Sequence, residues 1–193
     1  GTPVAIAVSP SGNAAYVVNQ ADSTVSTFGI NATSGMLTPL GTLPTGATAL
    51  GIAINPSGQF AYIANNGGGG DLSAFLINAG TGALSPIACG GGAGCNTDRF
   101  QTVPNARAVS LDPSGAYLYV AGQFVDESYV GTHAIDAITG ALSAVVKTAG
   151  LGGRGMAIAA GTTAVSYVPT FAYVTRSGFN TVEVLRINAT TGA

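Results

Sequence analysis

At 193 residues, 47% of them hydrophobic, the chain can bury a core either as one domain or as a piece of a larger one. Only 7% of residues are charged, six basic against eight acidic, and the basic residues form no cluster that could neutralise a phosphate backbone, which argues against nucleic-acid binding. Gly, Pro, Asn or Ser interrupts every apolar stretch within about eight residues, short of the ~18 that a spanning helix needs, so no membrane insertion is expected.

The chain opens on Gly1 with neither Met nor a charged-then-apolar leader, which reads as a processed, trimmed or excised segment. Its first predicted element, Ala5-Ile-Ala-Val-Ser-Pro-Ser-Gly12, is a small-residue strand closed by Pro-Ser-Gly. Pro fixes one φ and Gly frees another, which suits a tight reversal. A Tyr-centred strand follows, Ala15-Tyr-Val-Val-Asn19, and then a third, Val25-Ser-Thr-Phe-Gly-Ile-Asn31, leading into the turn Ala-Thr-Ser-Gly35. There the Asn side chain can accept from backbone N–H groups while Gly closes the reversal into a fourth short strand.

The series then returns. Gly51-Ile-Ala-Ile-Asn-Pro-Ser-Gly58, Ala61-Tyr-Ile-Ala-Asn65, Leu72-Ser-Ala-Phe-Leu-Ile-Asn78, the turn ending at Gly82 and Ala83-Leu-Ser-Pro-Ile-Ala88 form the second unit. The third contains Ala108-Val-Ser-Leu-Asp-Pro-Ser-Gly115, Leu118-Tyr-Val-Ala-Gly122 and Val130-Gly-Thr-His-Ala-Ile-Asp136, with its turn ending at Gly140. In the fourth, Ala160-Gly-Thr-Thr-Ala-Val-Ser-Tyr-Val-Pro-Thr170 replaces the Pro-Ser-Gly turn before Val182-Glu-Val-Leu-Arg-Ile-Asn188. Tyr16, Tyr62, Tyr119 and Tyr173 mark a period of about 50 residues, and four strands per period is the blade of a β-propeller. The predicted fold is therefore all-β, about four blades of four antiparallel strands, divided at 1–46, 47–103, 104–151 and an incomplete 152–193. Three complete blades and one of three strands give 15 strands, with the innermost strand of each buried on both faces.

Cys89-Gly-Gly-Gly-Ala-Gly-Cys95 lies in an insert running from Cys89 to Asn105. A linker this rich in Gly can bring the two Cα atoms within disulfide range, which would imply an oxidising compartment: extracellular, cell-surface or periplasmic. Two free thiols are the alternative, and a metal site lacks further ligands. A second insert, Gly122 to Tyr129, is expected on the same rim.

These segments resemble the lactonase-type, YVTN-related bacterial propeller repeats, whose pattern runs Pro-x-Gly-Ile-Ala, Pro-Ser-Gly, Tyr-Val-Ala-Asn and Thr-Gly-x-Leu. The resemblance covers almost the whole chain and implies a seven-bladed ring, of which about half is present. It also implies chemistry on sugar or muconate lactones by His, Glu and Arg at the channel mouth. The Pro-His pair of enzymatic members is missing at the innermost strands, so no catalytic residue is carried over.

Nine of the 14 acidic and basic residues map to one rim, in the second-to-third-strand and blade-to-blade connections. Loops there can vary without disturbing blade packing. Arg107 and Arg154 are expected one residue before an innermost strand, where Val4 and Leu50 stand in the first two blades. Two cations at the channel mouth would seat a carboxylate, phosphate or sugar acid. Asp126, Glu127 and Arg176 complete the candidate rim set, and rim ion pairs with Asp126, Glu127 or Asp98 are the alternative role for the arginines. His133, the one histidine, takes the packing slot of Phe28 and Phe75 and reads as structural. Asn31-Ala-Thr33 and Asn188-Ala-Thr190 are formal glycosylation sequons that coincide with the repeat's own turn.

The function expected first is a non-catalytic binding or scaffold propeller of a secreted or cell-surface protein, with no cofactor. Its partner would be a protein, a carbohydrate or a small acidic ligand at the rim. A sugar-lactone hydrolase of the 6-phosphogluconolactonase kind and a structural subunit of a surface assembly are the alternatives. An uncovered apolar blade face calls first for the remaining blades of a parent chain, with a second copy or closure as a strained four-bladed ring as alternatives.

Overall fold

The computed structural model describes residues 2–67, 69–91, 94–96, 99–124 and 127–149, with backbone alone at 96 and 124, and the backbone of strands at 156–160, 169–176 and 181–186. Among these residues there is no helix, and four antiparallel sheets follow one another along the chain. The first holds β1 (Pro3–Val8), β2 (Ala14–Asn19), β3 (Thr24–Ile30) and β4 (Leu37–Pro44) in that order. The second is built on β5 (Ala49–Ile54), β6 (Phe60–Asn65), β7 (Asp71–Ile77) and β8 (Leu84–Ile87), with β9 (Cys95–Asn96) and β10 (Arg99–Gln101) added. The third holds β11 (Ala106–Leu111), β12 (Tyr117–Phe124), β13 (Glu127–Ala134) and β14 (Val146–Ala149). In the fourth lie β15 (Met156–Ala160), β16 (Pro169–Arg176) and β17 (Thr181–Arg186).

Both turn types form as their residues dictate. Gly58 N donates to Asn55 O at 2.8 Å while Phe60 N donates to Asn55 Oδ1 at 2.8 Å, and Asp112 serves Gly115 and Tyr117 in the same way. In the second turn, Asn31, Asn78 and Asp136 each accept two backbone N–H groups through Oδ1.

Strand periodicity explains how the sheets stack. Along β6, Ala61 and Ile63 join the core shared with the first sheet, while Phe60, Tyr62 and Ala64 join the core shared with the third. Alternate side chains point to opposite faces, and both faces are covered, so all six residues are buried. The first two junctions each carry a hydrogen bond as well. Tyr16 Oη donates to Gly82 O and Tyr62 Oη to Gly140 O, both at 2.9 Å. Gly82 and Gly140 have φ of +75° and +71°, and an added Cβ would collide with Ala14 and Phe60 of the preceding sheet. Those turns need glycine for the dihedral and for the contact alike.

Two expectations change. The innermost strands are not buried on both faces: β5 and β11 are largely half-buried and β1 is more exposed still, whereas the second strand is the fully enclosed one. The reason is that an innermost strand has a neighbouring strand on one side only. The described strands also number 17, not 15, because β9 and β10 arise within the first insert. There β8 pairs with Ala74–Ile77 of β7, the chain departs, and β10 resumes pairing with Asp71 and Leu72. The insert therefore splits an outermost strand instead of lengthening a rim connection.

Candidate functional site

At the rim where second strands hand over to third strands, each of the first three sheets begins its innermost strand with a β-bulge. Register shifts fall between Pro3 and Ala5, Ala49 and Gly51, and Ala106 and Ala108. The bulged residues are Val4, Leu50 and Arg107. Arg107 thus lies inside β11, not one residue before it, and its register with Val4 and Leu50 is as expected. Thr48 and Asn105, at φ of 56° and 48°, turn the chain into β5 and β11, and Asn105 Nδ2 donates to Gln123 O at 2.8 Å. A bulge re-aims the side chain it carries. Here that side chain is a half-buried guanidinium whose Nε is buried and has no hydrogen-bond partner among the described residues.

The second predicted insert lengthens a hairpin, with Phe124 facing Glu127 at the ends of β12 and β13. Glu127 is exposed and accepts a hydrogen bond from Tyr129 Oη, which holds the Tyr129 hydroxyl above its ordinary pKa. β11 and β13 are separated by β12; Arg107 stands level with Gly122 and Tyr129, and Glu127, paired with Phe124, lies two residues farther along β13. Arg176 ends β16 opposite Thr181, the register held by Asn19 and Asn65 in the first two sheets. Its side chain, together with Asp126, Arg154 and Asp98, lies outside the described residues.

Sequence reasoning missed a polar cluster at the rim end of the second sheet. Asp71, 2% exposed, accepts from Asn65 Nδ2 at 2.6 Å and from Arg99 Nε at 3.2 Å. Asn65 Nδ2 also reaches Ser73 Oγ at 3.0 Å, and Ser73 Oγ accepts from Gly46 N at 3.0 Å. Arg99 comes from β10, so the insert delivers the counter-charge. The only signal was an Asp where the first unit has Thr24. Asn65 Oδ1 and Asn66 Nδ2, at the rim end of β6, are buried with no hydrogen-bond partner among the described residues.

His133 is wholly buried in β13, with Nδ1 2.9 Å from Ser143 O and Nε2 2.9 Å from Thr102 Oγ1. It faces Leu118, just as Phe28 faces Ala15 and Phe75 faces Ala61. Burial lowers its pKa, against the opposing pull of the Ser143 carbonyl. Both ring nitrogens are engaged, so the residue packs and does not face a substrate. Cys89 and Cys95 form a disulfide with a Cα–Cα distance of 5.7 Å. Among the described residues no group of three His, Cys, Asp or Glu side chains could hold a metal ion, and no helix is long and apolar enough to cross a membrane.

Stacked four-stranded antiparallel sheets with hairpin connections define a partial β-propeller. The chain belongs to the lactonase, 7-bladed beta-propeller family, which it matches over residues 3–159. Two Bacteroides proteins assigned as 6-phosphogluconolactonases are similar in structure. The one from Bacteroides uniformis has a TM-score of 0.81 at 18% identity, and the one from Bacteroides fragilis 0.79 at 19%, each over 99% of this chain and 52% of its own. A periplasmic gluconolactonase of Pseudomonas aeruginosa gives 0.62 at 21% identity over 76% of this chain and 39% of its own. The chain thus spans about half the length of the Bacteroides proteins. No curated protein matches the sequence.

Proposed function

We propose that the chain forms part of a propeller that hydrolyses the lactone of a sugar acid, and that the rim end of its second and third sheets faces the substrate. Arg107 carries the reading: it is a half-buried guanidinium on an innermost strand whose Nε has no partner among the described residues, in a chain of the lactonase family. Family membership favours this reading over a purely non-catalytic scaffold. In the reaction, water adds to the lactone carbonyl, the ring C–O bond breaks, and the departing alkoxide takes up a proton to leave a hydroxy acid. A guanidinium assists by pairing with an anionic oxygen of the substrate or with the oxyanion formed at the carbonyl. The Cys89–Cys95 bridge supports an extracellular, cell-surface or periplasmic setting.

The test is a panel of sugar lactones followed by pH-stat, with spontaneous hydrolysis subtracted. Turnover is expected to fall roughly a hundredfold in kcat/KM for Arg107→Ala and to be partly retained in Arg107→Lys. An inert wild type, or an Arg107→Ala enzyme as active as the wild type, sinks the reading. A binding propeller without turnover is the second reading, favoured by His133, whose imidazole is fully committed to Ser143 and Thr102. Saturable lactone binding with no hydrolysis in the same panel selects it.

A further inference from the structure

We infer that Asn105 is the positioning residue of Arg107: its side chain ties the strand entry that carries the guanidinium to the hairpin that carries Glu127. The inference rests on the reading of Arg107 as a substrate-facing group and adds what sets its direction. In the first two sheets the second strand ends on an asparagine whose amide is engaged within the sheet. Asn19 Nδ2 donates to Ser26 Oγ at 2.9 Å, and Asn65 Nδ2 to Ser73 Oγ at 3.0 Å. The third sheet has glycine in both registers: Gly122 opposite Ala106, as Asn65 is opposite Ala49, and Gly131 opposite Val120, as Ser73 is opposite Ile63.

Loss of both side chains makes room for the incoming connection. A Cβ on Gly122 would strike Pro104 O, and one on Gly131 would come 2.9 Å from Val103. Pro104 therefore lies against the end of β12, in space that the asparagine of the other sheets would fill.

The amide reappears on the connection itself. Thr48 and Asn105 enter β5 and β11 at the same place, both with left-handed φ. Thr48 is held through its backbone, its N donating to Ser23 Oγ at 3.2 Å and its O accepting from Asn66 N at 3.0 Å. Asn105 is held by its side chain, through the 2.8 Å bond from Nδ2 to Gln123 O, and asparagine also tolerates that φ better than β-branched threonine. Gln123 lies beyond the register where β2 and β6 stop, on the extension in which it faces Ser128 and Phe124 faces Glu127. The bond thus joins the start of β11 to the lengthened hairpin, two residues before the bulge. Of Val4, Leu50 and Arg107 at the three bulges only Arg107 is charged, and the relocated amide belongs to its sheet.

Asn105→Gly tests this, because glycine keeps the left-handed φ and removes only the anchor. In a chain carrying nitrogen-15 arginine, the Nε–H resonance assigned to Arg107 by its loss in Arg107→Lys is expected to move, and its exchange with solvent to quicken about tenfold, while the far-UV spectrum stays unchanged. Asn105→Asp, which keeps the shape and loses the donor, is expected to do the same. In the lactone assay, Asn105→Gly is expected to lower kcat/KM roughly tenfold in the wild type and to add nothing in Arg107→Ala. An Arg107 resonance unmoved in both Asn105 variants overturns the inference, and so does an undiminished loss in the Arg107→Ala background. A wild type inert toward every lactone ends the hydrolytic reading and leaves the resonance to decide the role of Asn105.

Discussion

Gly46 and Val103 occupy the same position in consecutive sheet-to-sheet connections and fill it in opposite ways. Gly46 leaves room for the large polar pair Asn65 and Asp71, which a Cβ would strike. Val103 fills the room left where the third sheet has Gly122 and Gly131, and a Cβ on Gly131 would come 2.9 Å from it. Volume is conserved at the slot although its chemistry is not. Gly46→Ala should therefore destabilise by about 2 kcal/mol through overpacking, and Val103→Ala by a similar amount through the void it leaves. Urea unfolding of both variants checks this, and a neutral Gly46→Ala would refute the slot.

The inter-sheet tyrosines should not be equivalent. Tyr62→Phe removes a hydroxyl that satisfies the Gly140 carbonyl, at a cost of about 1 kcal/mol. Tyr119 Oη is buried with no partner among the described residues, and burial first, then the nearby Asp112 and Tyr117, push its pKa up to about 12. Tyr119→Phe should cost less than Tyr62→Phe, or nothing. Equal losses in thermal melts would show that Tyr119 has an equivalent partner.

His133 gives the fold a pH dependence of known sign. The Ser143 carbonyl can only accept, which assigns the proton to Nδ1 and leaves Nε2 to accept from Thr102. The buried neutral form lowers the folded pKa below the unfolded value near 6.5. The unfolded chain then binds the extra proton first, so this contribution is complete above about pH 6.5 and is lost as pH falls through the folded pKa, by at most about 1.4 kcal/mol per unit. Asp136, its pKa lowered chiefly by the Thr139 backbone N–H, adds acid sensitivity that begins as pH falls into the ordinary carboxylate range. His133→Phe restores the residue type of Phe28 and Phe75 and should flatten the melting temperature between pH 7 and about pH 5. A variant with the same slope as the wild type would remove His133 as its source.

Arg99 and Asp71 should be strongly coupled. Arg99→Ala leaves a buried carboxylate with only amide support, a loss of about 2 kcal/mol given that the arginine is about a third exposed. Asp71→Asn in that background should recover part of it, which a double-mutant cycle in denaturant measures. Strict additivity would mean that the pair is incidental.

Cys89 and Cys95 enclose a short loop, so replacing both by Ser should cost only about 2 kcal/mol. Hydrogen exchange should rise around β9 and β10 while Phe60–Asn65 keeps its protection. Loss of protection throughout would show that the bridge holds the whole fold.

The turns, the Tyr period and the packing role of His133 were legible because each is a local pattern repeated several times. Asn78 and Asp136 announce their turns within five residues. The split outermost strand was not legible, because whether Phe100 rejoins the sheet depends on Leu72, some thirty residues earlier and on another strand. The same holds for the rim. Arg107 was found by register alone, but its bulge arises from how β11 pairs with β12. The union of Asp71 with Arg99 needed the insert's path, which no local motif encodes. The half-exposure of β1, β5 and β11 went unread because small apolar residues suit either an enclosed strand or one beside an open axis.

The course of the second sheet's edge also bears on what the molecule tolerates. The second sheet's outer pairing with β7 ends at Ile87 and resumes at Phe100, with β9 pairing on β10. Such a detour is a natural graft point, because the cost of closing it grows only slowly with its length. A recognition loop or reporter tag spliced there would ride on the outside of the stack and leave the wedge-like contacts between neighbouring sheets as they are.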